Sequence, residues 1–98
     1  MAPFTKPKEV SRMRMLGTIT RDEFDLLNNM WARGLNAVVN SEDIEFHNGH
    51  PDPVAVVDRS TQIAKLYPDR CGGNDENYFL GIAGHADRRT PYSVEYQS

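Results

Sequence analysis

Residues 52–68 read Asp-Pro-Val-Ala-Val-Val-Asp-Arg-Ser-Thr-Gln-Ile-Ala-Lys-Leu-Tyr-Pro, and the backbone assigned to this stretch decides the fold class. Asp52-Pro53 is a helix start signal: a capping carboxylate, then a proline whose missing N–H is not needed in the first turn. Val56, Val57, Ile63, Ala64 and Tyr67 fall on one helical arc, with Asp58, Thr61, Gln62 and Lys65 on the other. Pro68 disfavours helical geometry at Tyr67 and closes the segment there. The pattern predicts a helix ending at Tyr67. The competing reading is a strand over 54–57, because the valines at 54, 56 and 57 favour extended backbone.

The flanking sequence carries the same helical theme. Thr20 stands three residues before Glu23, the spacing of a capping box, and Asp22, Glu23 and Asp25 put negative charge at the positive end of the helix dipole. Phe24, Leu27, Trp31, Leu35 and Val38 follow at spacings of three and four, which predicts a helix running to about Asn40. Gly34 would then be a helix-interior glycine, at a cost of about 1 kcal/mol relative to alanine, on a side where a second helix can approach closely. Val10, Met13 and Leu16 recur every three residues ahead of Gly17, predicting a short helix over about 8–16. Asn74 can cap a last helix over about 75–87. Residues 41–51 read as a loop, although Ile44 and Phe46 alternate with Asp43, Glu45 and His47. The expected fold is all-α: a single domain over 1–98, three to four helices around Trp31, a basic arm at 1–7 and a loose extended tail at 90–98. An α+β domain with a short strand pair is the alternative.

With 98 residues, 39% of them hydrophobic and 26% charged, the chain suffices for one domain with a modest core. The lone Cys71 excludes an internal disulfide and agrees with a reducing cytoplasm. The strongest apolar run, Val54–Val57, is far short of the roughly 20 residues a membrane span needs, and the first ten residues hold no apolar signal stretch. A cytoplasmic protein with no membrane partner is expected. The net charge of −3 is unevenly spread. Residues 1–21 hold Lys6, Lys8, Arg12, Arg14 and Arg21 against Glu9, whereas residues 22–76 hold eleven acids against four bases. An acidic body argues against general nucleic-acid binding, which needs many cations to displace counterions. The basic arm is either a solubilising terminus or a contact for a phosphate or an acidic partner.

Catalytic and metal chemistry find thin support. His47 and His50 have a chelating spacing, and with Cys71 and His85 they would supply four zinc ligands of the right types. The long gaps between these residues match no compact zinc module, and a turn-rich segment holds surface histidines for no special reason. Cys71 beside Arg70 is a conceivable thiolate, but the sequence offers it no partnered base. Gly72-Gly73 lacks the Gly-Lys-Ser/Thr that completes a phosphate loop, and Asp69, Asp75 and Glu76 lack calcium-loop spacing.

A non-enzymatic, acidic protein-binding module without a cofactor is therefore expected, with a zinc protein using His47, His50, Cys71 and His85 as one alternative and an oligomeric small-ligand sensor or sponge as another. By genre alone, a viral or phage accessory protein that inhibits or adapts a host factor fits such a chain. Glu42, Asp43 and Glu45 around Phe46 would suit a basic site on another protein, charge speeding encounter and the aromatic holding the complex. Gly81 and Gly84 flatten one side of the last predicted helix next to Arg88 and offer close approach to a partner or a second copy, as in a homodimer. Tyr92 and Tyr96 are further contact candidates, being apolar along the ring and polar at the tip.

Overall fold

The computed structural model describes residues 4–71 and 92–97. Two helices lead: α1 (Pro7–Leu16) and α2 (Arg21–Ala32). Four short strands follow, β1 (Asn36–Val39), β2 (Asp43–His47), β3 (Ala55–Asp58) and β4 (Ile63–Leu66), then a 3-10 turn at Pro68–Arg70 and a last strand, β5 (Ser93–Tyr96). The strands form one sheet in the order β1-β2-β3-β4-β5. The first four make an antiparallel meander, and β5 lies parallel to β4. The fold is α+β, not the all-α bundle that the sequence pattern predicts, and the protein is not mainly helical.

The correction has three local causes. Helix α2 stops at Ala32 because Gly34 takes a φ of 86°, a left-handed conformation that side chains resist. The Leu35 amide then donates to the Met30 carbonyl at 3.0 Å and the Gly34 amide to Trp31 at 2.9 Å, a Schellman closure. Gly34 is thus a terminator rather than a helix-interior glycine, and Leu35 and Val38 continue the helical spacing only by coincidence. Secondly, the segment from Pro53 to Tyr67 is a hairpin. Ala55 and Val57 point into the core while Val56 and Asp58 point away, the alternation of a strand. The Asp58 carboxylate accepts from the Ser60 and Thr61 amides at 2.9 and 3.0 Å and from the Ser60 hydroxyl at 2.8 Å, so Asp-Arg-Ser-Thr turns the chain instead of continuing a helix. Thirdly, the alternation at 43–47 is a true strand: Ile44 and Phe46 are buried and pair with Val39 and Ala37 of β1 and with Val57 and Ala55 of β3. The helix predicted over 75–87 lies outside the described residues.

One cluster of apolar side chains joins both helices to one face of the sheet. Val10, Ile19, Leu26, Leu27 and Met30 pack with Ala37, Ile44, Phe46, Val57, Ala64 and Leu66. The inner face of α2 is therefore centred on Leu26, Leu27 and Met30, with Phe24 and Trp31 only partly buried at its flanks. Trp31 is not the centre of the core; Phe46, fully enclosed, is closer to that role. The start of the chain closes the β1 edge. The Thr5 amide donates to the Ala37 carbonyl at 2.7 Å, and the Val39 amide donates to the Thr5 hydroxyl at 3.1 Å. That covering satisfies backbone groups an open edge would leave unpaired.

Candidate functional site

Three surface regions gather polar or unpaired groups: the turn cluster around Arg59, the β2 row around His47, and the outer side of α1. Arg59 projects from the β3–β4 turn. Its Nε donates to Glu23 Oε2 at 2.6 Å, and its Nη2 donates to Glu23 Oε1 at 3.2 Å and to the Thr18 carbonyl at 2.7 Å. Its Nη1 donates to the carbonyls of Asn40 at 2.9 Å and Ser41 at 3.4 Å. A guanidinium has five N–H donors, and five contacts occupy them. One side chain thereby ties the β3–β4 turn to the α1–α2 loop, the first turn of α2 and the β1–β2 turn. Glu23 is held from the other side as well: the Thr20 amide donates to its carboxylate at 2.7 Å while the Glu23 amide donates to the Thr20 hydroxyl at 3.1 Å. The capping box read in the sequence is present.

Burial by itself pushes the Glu23 carboxyl up, but the Arg59 hydrogen bonds, the Thr20 amide and the Arg59 charge together outweigh it and hold the group below its ordinary value. The hydrogen bond to Glu23 raises Arg59. Asp58 is drawn down to about 2 by the Thr61 amide first, then by the Ser60 hydroxyl and amide. The open cavity beside these groups, about 730 Å³, is lined by Thr18, Glu23, Ser41, Glu42, Asp58 and Arg59 among others. Glu23 and Arg59 are bonded to each other and Asp58 to its own turn, so the chemistry of these three groups is that of a clamp.

The β2 row is similarly engaged. Asn40 Nδ2 donates to Asp43 Oδ1 at 2.7 Å and to Glu45 Oε2 at 2.9 Å. His47 is buried, with Nε2 3.0 Å from Glu45 Oε1 and Nδ1 3.1 Å from the His50 carbonyl oxygen. The Phe4 ring packs on it at a centroid distance of 5.5 Å.

Against this geometry the sequence candidates separate. Glu42, Asp43 and Glu45 do lie together at the β1–β2 turn, but only Glu42 is exposed, and its carbonyl accepts from the Arg59 amide at 3.0 Å. Phe46 is in the core and presents no anchor at the surface. His47 approaches His50 through the latter's backbone, both His47 ring nitrogens face oxygens, and no group of three or more His, Cys, Asp or Glu among the described residues is placed to hold a metal. Cys71 is half-buried, its Sγ 3.5 Å from the Tyr67 carbonyl. Arg70 is directed instead at the Tyr67 ring, 4.1 Å from its centroid, and at the Pro53 carbonyl at 3.1 Å. Tyr92 is buried, and burial first, then the carboxylates of Glu23, Asp22 and Asp25, raises its phenol above the ordinary range. Tyr96 is exposed on β5. Gly81, Gly84, His85 and Arg88 lie outside the described residues.

The third region is one the contact candidates missed. Val10 is fully buried and Met13 packs on the core, which fixes the inner face of α1. At about 100° per residue, Lys8, Arg12 and Met15 share the opposite face. Met15 is 87% exposed and its neighbour Leu16 72%, the two most exposed large apolar side chains among the described residues. Pro7, Lys8, Ser11, Arg12 and Met15 line an open depression of about 510 Å³. Among the described residues, none of the side chains of Lys8, Arg12 and Arg14 pairs with a carboxylate. The sequence carries the signal: the phase of Lys8 and Arg12 relative to Val10 and Met13 places both cations on one helical face.

No helix among the described residues is long and apolar enough to cross a membrane. Compared with protein-family models, with curated proteins and with solved structures, the chain finds no match in any of the three.

Proposed function

We propose that the chain is a non-enzymatic protein-binding module that presents α1 to its partner. The observation that carries this reading is the outward face of that helix, where Lys8 and Arg12, without a carboxylate partner among the described residues, stand beside exposed Met15. A mixed basic and apolar stripe of this kind suits a contact in which charge guides encounter and apolar burial slows release. The helix is also held in place before any partner arrives. Pro7 starts it, Gly17 ends it at a φ of 77°, Val10 anchors it, and the Thr5 bonds fix the chain ahead of it. Little ordering entropy remains to be lost on binding. A cytoplasmic setting fits the single cysteine.

A basic partner met by the acidic turn is the second reading, and exposed Glu42 supports it. The two separate in one experiment. The intact chain is used to capture proteins from a cell lysate, the retained partner is purified, and its affinity is measured for the parent, for Lys8→Glu/Arg12→Glu and for Glu42→Gln/Asp43→Gln/Glu45→Gln. The α1 pair should weaken binding by about tenfold or more, equivalent to about 1.4 kcal/mol, and the acidic-turn triple should leave it unchanged. The reverse pattern refutes α1 as the contact.

A further inference from the structure

Given that α1 is the contact surface, we propose that its occupant is an acidic segment of a partner protein carrying one apolar side chain. Lys8 and Arg12 are four residues apart and Met15 three further on, so the stripe is about 10 Å long at 1.5 Å per residue. It runs from two cations to an apolar end, with Leu16 extending that end and Arg14 to one side. A segment presenting carboxylates to the cations and one apolar side chain to Met15 and Leu16 matches it in both charge and order.

Other anionic partners match less well. A phosphate backbone would satisfy the cations but leave two exposed apolar side chains without contact. A bilayer takes up a helix through its apolar face, and the apolar face of α1, at Val10 and Met13, is already turned into the core. Cations occupy the middle of the face that would have to enter the lipid. The body behind α1 also decides against an extended anionic surface, since residues 22–76 carry eleven acids against four bases. A slender segment meets the α1 cations within a Debye length of about 8 Å while the more distant acids are screened; a planar surface meets the whole body. A second copy of the chain could offer its own acidic turn, but there Asp43 and Glu45 are already bonded to Asn40, and Glu45 also to His47.

The test uses the intact chain and fluorescence anisotropy. The probes are a panel of labelled twelve-residue peptides, each with four Asp or Glu and one Leu, Phe or Trp stepped through every position. A matched panel carries Lys in place of the acids. Phosphatidylcholine vesicles containing phosphatidylserine and a short DNA duplex complete the set. Acidic-apolar peptides should bind in a subset of registers, more weakly in high salt. Lys8→Glu/Arg12→Glu and Met15→Ser/Leu16→Ser should each reduce that affinity by about tenfold. All four positions are exposed, and circular dichroism should report unchanged folding of both variants. The acidic occupant is overturned if the acidic panel binds no better than the lysine panel. It is equally overturned if vesicles or DNA bind in the α1-dependent manner instead, or if light scattering shows self-association that Lys8→Glu/Arg12→Glu abolishes. Silent acidic peptides, together with loss of the captured partner by the same variant, overturn the acidic occupant but leave α1 as the contact. Retention of that partner overturns α1 itself.

Discussion

Replacing Arg59 with alanine removes the five bonds that join three loops and a helix start, and its cost follows from what is left behind. Glu23, whose side chain is only 7% exposed with Arg59 in place, keeps the Thr20 amide but loses two charge-assisted bonds. The carbonyls of Thr18, Asn40 and Ser41 lose a donor, but those at the surface can turn to water. Breaking a fully buried pair costs about 3–5 kcal/mol. The Arg59 side chain is 20% exposed, so solvent screens part of the interaction and the lower figure of about 2–3 kcal/mol applies. A domain of this length has roughly 5–15 kcal/mol in all. At about 4–8 °C per kcal/mol, the melting temperature should fall by about 10–20 °C. Thermal and urea unfolding followed by circular dichroism measure this directly.

The same variant has a pH signature with a defined sign. Glu23 titrates below its ordinary value of 4.5 in the folded protein, so the unfolded chain binds its proton more readily. Its contribution is complete above the unfolded value and is lost as pH falls through the lower folded one. Arg59→Ala should therefore unfold with a shallower loss of stability below about pH 5, keeping only the acid sensitivity of other carboxylates such as Asp58, which remains at about 2 through its own turn bonds. A variant that melts within about 3 °C of the parent, with an unchanged acid limb, would refute the clamp.

Three further substitutions test the fold. Phe46→Ala should cost about 3–5 kcal/mol, because the ring is completely enclosed between helices and sheet. Trp31→Ala, at a half-exposed flank, should cost only about 1–2 kcal/mol, and a larger loss than at Phe46 in chemical denaturation would return the core to Trp31. Gly34→Ala has an informative sign. At a φ of 86° it should destabilise by about 1–2 kcal/mol although nothing lies within 4 Å of the added carbon, whereas a helix-interior glycine would gain about 1 kcal/mol from the same change. A raised melting temperature would contradict the termination of α2 at this glycine.

The parts of the fold legible in the sequence are those fixed by bonds between near neighbours. Thr20 and Glu23 close a capping box three residues apart, and Gly17 ends α1, so both helix starts and one stop are written locally. The strands are not written in that way. Each is four or five residues long, too short for alternation to outweigh a helical spacing that happens to run through it. Val56, Val57, Ile63, Ala64 and Tyr67 fit a helical arc because a tight turn, built by Asp58 on Ser60 and Thr61, separates two short strands by nearly one helical period. The Asp58 turn together with the pairing of Ala55 with Phe46 and Leu66 on the neighbouring strands chooses between the alternatives. Arg59 was invisible for the same reason, since its partner Glu23 lies 36 residues away.

The charge partition was legible, but which of its charges have partners inside the fold was not. The acidic body looked like the contact surface because its carboxylates outnumber its cations. In the folded chain, Glu23 is bound to Arg59, Asp43 and Glu45 to Asn40, Glu45 also to His47, and Asp58 to its own turn. These bonds fix the acids in place and use part of their accepting capacity, so a partner would share them with the fold and the net gain would shrink accordingly. Among the described residues, Lys8 and Arg12 have no carboxylate partner. They stand on a helix whose inner face is already anchored, next to apolar side chains that no described residue covers. An exposed cation of this kind loses hydration when a partner covers it, but it breaks no bond to a carboxylate of the described residues in doing so. On the proposed reading, the contact therefore lies on the minority side of the charge balance, where the described residues offer the α1 cations no carboxylate partner.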